Sequence, residues 1–103
     1  MPFGIIGAAT LPAAVEQEIF VGPQGTITAC TVSFANAGAA TAVVTLKAVA
    51  PGITDAGGKF IEPRVPLSPG QGLERGGLVI AAGQKLVAAA SAAGVDVVVW
   101  GME

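Results

Sequence analysis

Carboxylates are the first place to look for chemistry in this chain, because it has no histidine and no tyrosine. That removes the commonest general acid–base group and the commonest metal ligand together. Glu16 and Glu18 stand two residues apart, so in a strand both point to one face, where they could hold a cation or exchange a proton. No third ligand or perturbing group accompanies them, which makes a solvated strand face the simpler expectation. Glu62 and Arg64 have the same spacing with opposite charge and are expected to form a surface pair worth under about 1 kcal/mol, or a contact to another subunit. Ser33, Ser68 and Ser91 occupy no nucleophile elbow, and only lysines or carboxylates are available as bases to activate them. Gly57-Gly58 and Gly70-Gln71-Gly72 are not followed by the Lys-Ser/Thr of a phosphate loop and are expected to be turns. Cys30, the only cysteine, allows no internal disulfide and no Cys-x-x-Cys metal pair; it fits a small buried hydrophobe, with an intersubunit disulfide as the minor alternative. The expectation is therefore of no enzyme, no cofactor and no metal.

The elements that would carry these residues are strands. Period-2 alternation broken by Gly and Pro recurs along all 103 residues, and no dozen-residue window shows a clean 3.6-residue stripe. Strands are expected at Val15–Val21, Thr26–Asn36, Thr41–Ala50, Lys59–Leu67, Leu73–Ile80, Lys85–Ser91 and Val95–Met102. The helical alternative for Ala81–Ala93 is disfavoured by Gly83 and Gly94 at its ends. A change of apolar phase between Ile27/Ala29 and Cys30/Val32/Phe34 predicts a bulge near Ala29-Cys30. Pro63 and Pro66 confine Lys59–Leu67 to a sheet edge. Residues 1–13 are broken by Pro2, Gly4, Gly7 and Pro12 and are expected to form an extended arm, whose Phe3, Ile5, Ile6 and Leu11 lie on a neighbouring subunit. Residues 14–103 then form one all-β domain, an antiparallel sandwich or jelly roll of seven to eight short strands.

Composition says where such a domain puts its apolar excess. Hydrophobic residues make up 52% of the chain and charged ones 12%, about half the charged share of an ordinary soluble domain. No segment approaches the roughly 20 apolar residues of a membrane helix, and the five cations are spaced singly, without the basic stripe that a phosphate backbone requires. Membrane and nucleic acid are thus unexpected partners, and an interface between protein subunits is the remaining site of burial. The N-terminus has no charged region of the kind that opens a secretory signal, so synthesis in the cytoplasm is expected. Val95–Met102 is apolar on both faces, with Val95, Val97 and Val99 on one and Val98, Trp100 and Met102 on the other. It should be central, and Trp100 is equally suited to a core and to an interface anchor. Phe20, Phe34 and Phe60 are ordinary core candidates.

Leu67-Ser68-Pro69-Gly70, Leu78-Val79-Ile80-Ala81-Ala82-Gly83-Gln84-Lys85-Leu86, Ala90-Ser91 and the closing Val97-Val98-Val99-Trp100-Gly101-Met102-Glu103 together resemble a group of small tailed-phage virion proteins. The hairpin Val32-Ser33-Phe34-Ala35-Asn36, turn, Ala42-Val43-Val44-Thr45-Leu46 is similar to one in the same group. Gln84 stands where that group carries Asp. The resemblance spans roughly residues 26–103 and implies a β-sandwich that assembles, commonly as a homotrimer, on the particle. The implied role is capsid decoration, or cement, with the major capsid protein as partner and the outer capsid surface as location; a tail, baseplate or fibre component is the alternative within the class. A carbohydrate-binding module on a sandwich scaffold is the alternative from another class, although exposed aromatics for stacking on sugars are few.

Overall fold

The computed structural model describes residues 3–54 and 57–102. Among the described residues eight strands follow one another without an α-helix: β1 Phe3–Leu11, β2 Gln17–Val21, β3 Ile27–Asn36, β4 Ala42–Val49, β5 Lys59–Leu67, β6 Gly72–Ala81, β7 Lys85–Ala90 and β8 Val95–Met102. They form two antiparallel four-stranded sheets, sheet A in the order β1-β8-β3-β6 and sheet B in the order β2-β7-β4-β5. Every connection except β4–β5 passes from one sheet to the other. That interleaving is the jelly-roll form of the sandwich.

Alternation builds the core. Val95, Val97 and Val99 of β8 and Cys30, Val32 and Phe34 of β3 face Val44 and Leu46 of β4 and Leu86, Ala88 and Ala90 of β7, all buried. Each side chain of this size contributes roughly 1.5–3 kcal/mol when it leaves water completely. β8 is central, between β1 and β3, as its two apolar faces require, and β5 with Pro63 and Pro66 is an edge. Phe20 and Phe34 are core residues, as expected.

Several expectations are corrected. Residues 3–11 are extended but are not a free arm: β1 pairs with β8 of its own chain, from Phe3 opposite Met102 to Leu11 opposite Val95. Leu11 is buried in the core and Ile6 packs against it, so neither is available to a neighbouring subunit. Phe60 is 57% exposed, because it lies on the outer face of edge strand β5. In β2 the inward pair is Ile19 and Phe20, adjacent residues brought to one side by a register shift between Glu18 and Phe20, while Val15 and Val21 are exposed. The bulge expected in β3 is in its neighbour. β3 alternates without a break and keeps continuous register with β8, whereas Thr31 alone opposes Gly76 and Gly77 of β6. Gly77 there has φ +75°, a conformation that side chains disfavour. The apparent phase change comes from the sheet's outer face: Ile27 and Ala29 are exposed apolar residues, and Thr28 between them is buried.

Side-chain hydrogen bonds close the turns. Asn36 is buried at the end of β3, where its Nδ2 donates to the carbonyls of Ala40 at 2.8 Å and Leu67 at 2.9 Å, and its Oδ1 accepts the Gly38 N–H at 3.0 Å. Gln84 Oε1 accepts the Ala81 N–H at 2.8 Å and so closes the β6–β7 turn. Ser91 Oγ accepts the Val43 N–H at 2.8 Å beyond the end of β7. Thr28 Oγ1, by contrast, is buried without a hydrogen-bond partner, which costs free energy that a methyl group would not.

Two substitutions test these assignments by urea unfolding. Asn36→Ala, which removes three hydrogen bonds and orphans the groups they satisfied, is expected to cost about 3 kcal/mol. Thr28→Val is expected to stabilise by about 1 kcal/mol; a loss of stability would mean that the hydroxyl has a partner.

Candidate interaction surface

The outward residues of sheet A fall into two halves. At one end the face is polar: Thr10 Oγ1 donates to Asp96 Oδ1 at 2.7 Å, and Ser33 Oγ to Glu74 Oε2 at 3.5 Å. At the other end the strand register sets Ile5 beside Trp100 and Trp100 beside Thr31, with Ala29 beside Val79 in the next row and Ile27 beyond. Ile5 is 61% exposed, Ile27 70%, Val79 64% and Trp100 44%. No charged side chain interrupts this half among the described residues, and all four strands contribute to it.

Glycine shapes the surface. A shallow trough of about 500 Å³ runs beside Trp100, bordered by Val79 and Ala29 and floored by Thr31, Gly77 and Gly101. A Cβ at Gly101 would stand 2.6 Å from the Ala29 carbonyl oxygen and 2.7 Å from Ile6 Cδ1, so only glycine lets β8 lie this close to β3 and β1 there. The Trp100 ring, on the outer face, is the largest exposed apolar group on the sheet among the described residues. Of the residues expected at an interface, Ile5 and Trp100 occupy this patch, and Val98 is half-buried on the same face nearer its polar end. The side chains of Phe3 and Met102 lie outside the described residues. Val79 and Ile27 were not anticipated; their signal was an apolar residue out of phase with its strand's inward set.

Sheet B has a different outer face. Lys47, in the middle of β4, is buried there by an ion pair with Glu16 and by the Phe60 ring, whose centroid is 5.6 Å from Nζ. Lys85 Nζ lies 3.6 Å from Glu18 Oε2. Both carboxylates singled out for chemistry therefore answer a lysine across the sheet. Among the described residues no three His, Cys, Asp or Glu side chains are grouped to hold a metal ion. Glu62 pairs with Arg75 of β6 at 3.3 Å instead of Arg64, because β5 and β6 lie along the same edge of the sandwich. Arg64 lines an open groove with Phe60, Glu16 and Thr45. Cys30 is buried in the core, and desolvation pushes its thiol above the ordinary value. Burial thus suppresses the thiolate, the form that reacts.

The chain matches no family model, no curated protein and no solved structure.

Placing Trp100 outside the core has a measurable consequence. Trp100→Ala should change the free energy of unfolding by under about 1 kcal/mol, whereas Phe34→Ala should cost about 3–5 kcal/mol. An equal loss in both would return Trp100 to the core. In the same samples Cys30 should react with a thiol reagent only on unfolding.

Proposed function

We propose that this chain is a structural subunit of a virion, a capsid decoration protein that docks on the assembled shell through the uncharged half of sheet A. The observation that supports the reading is the exposed apolar patch of Ile5, Ile27, Val79 and Trp100, spread over four strands of one sheet in a chain with a low charged fraction. A contiguous apolar patch with an aromatic at its centre and polar groups at one border has the make-up of a protein-binding surface. The jelly roll suits the task, since a rigid scaffold holds the patch in place without an ordering cost on binding. A subunit bound this way stabilises the shell by mass action, by about 2.7 kcal/mol per site at a free concentration one hundred times the dissociation constant. The major capsid protein is the proposed partner.

A tail or baseplate location uses the same surface and differs in copy number, which mass spectrometry of purified particles reads directly. The exposed rings of Trp100 and Phe60 also suit stacking on sugars, and specific binding on a glycan array would favour that function over docking on protein. On particles, Trp100→Asp is expected to lower occupancy by an amount corresponding to about 2 kcal/mol or more, the scale of an interface hot spot. Particles that lack the chain entirely, or full occupancy by Trp100→Asp, would overturn the proposal.

A further inference from the structure

Four strands end the two sheets, and three of them carry features that obstruct pairing with another strand. β5 has Pro63 and Pro66 along with Lys59, Glu62 and Arg64. β2 is five residues long, with Glu18 within it and Glu16 just before it. β6 carries Glu74, Arg75 and the Gly76-Gly77 bulge. β1, Phe3–Leu11, contains neither a proline nor a charge in nine residues. Its one irregularity, between Ile5 and Gly7, leaves Gly7–Leu11 in unbroken register with Val99–Val95. Among the described residues no further backbone hydrogen bond ties β1 to anything besides β8, so its other side presents unpaired peptide groups.

We infer that the free edge of β1 pairs with β1 of a second copy, antiparallel about a two-fold axis through Ala9, to give a dimer in which sheet A runs continuously through eight strands. The two-fold axis makes the contact isologous and closed, and antiparallel pairing is the more stable ladder. Residue types match it. With Ala9 at the axis, Gly7 faces Leu11 of the second copy and Ala8 faces Thr10, each a small residue against a larger one. In β2 the same pairing sets Glu18 diagonally across from Glu18 of the second copy, which is destabilising, while the prolines of β5 and the bulge of β6 interrupt the ladder itself. An uncharged edge also has nothing with which to select a foreign strand, while a second copy fits it by symmetry. The dimer would carry two Trp100 patches on one side of a single sheet, and bivalent docking then gains from effective concentration. Self-pairing presupposes an assembling chain, as proposed above, but uses a surface other than the Trp100 patch.

Light scattering of the full-length chain is expected to give twice the 10.0 kDa of one copy. Ala8→Lys sets two lysines diagonally across the pair and is expected to raise the dimer dissociation constant about tenfold or more, while Trp100→Asp leaves the dimer intact. Hydrogen exchange of the unmodified chain provides a reading that no folding defect can obscure: amides within Gly7–Leu11 should lose protection on dilution while those of Val95–Val99 keep theirs. A chain monomeric at every concentration overturns the inference, as does a trimer, as does a dimer abolished by Trp100→Asp and untouched by Ala8→Lys. Particle binding that persists in a strictly monomeric chain defeats this inference alone, and loss of self-pairing says nothing against the docking surface.

Discussion

The rest of the structure depends on the contact between two rows of inward side chains, Val95, Val97 and Val99 with Val32 and Phe34 from sheet A, and Val44, Leu46, Leu86 and Ala88 from sheet B. In a two-layer sandwich every strand has one residue in two available to this contact. With so small a core, a buried polar group without a partner is costly. Asn36 has three and Thr28 has none. The interleaved topology brings strands from distant parts of the chain into this contact, since nearly every connection crosses between the sheets.

Once the inward positions are filled with aliphatic residues, the outward ones decide behaviour, and the two sheets decide it differently. Sheet B neutralises its outer face internally: Glu16 answers Lys47, Glu18 answers Lys85, and Phe60 covers the Lys47 ammonium. Sheet A concentrates its polar groups near Asp96 and Glu74 and leaves the opposite half apolar. A low charged fraction is therefore not spread thinly over the surface. It is gathered into one sheet, the edges and one end, which frees a specific area for contact with protein.

Turn chemistry holds this division in place. Asn36, Gln84, Gln71 and Ser91 each satisfy a backbone group at a turn or strand end with a short side-chain bond. Gly101 and the Gly76-Gly77 bulge permit the close approach and the local turn of the edge on which the trough beside Trp100 depends. Of the positions compared above with phage virion proteins, Ser91 fits the pattern of that group and Gln84 departs from it. Both have local structural work, the closing of a turn and of a strand end, that is independent of any partner.

By itself the sequence determined the seven strands after the first, the edge position of the proline-bearing segment, the central position of Val95–Met102 and the all-β class. Period-2 alternation and the missing N–H of proline act locally, so they can be read without knowing what lies opposite. Which face each strand turns inward was less accessible. Phe60 looks like a core residue and is exposed, whereas Leu11 looks like part of an arm and is buried, with Ile6 packed against the core. The ion pairs were equally hidden, because Glu62 meets Arg75 and Glu16 meets Lys47 only when β5 lies beside β6 and β2 comes within reach of β4. Alternation defines two faces of a strand but not which one meets the other sheet. That choice belonged to the tertiary structure, because burial is a property of the assembled layers and not of any single strand.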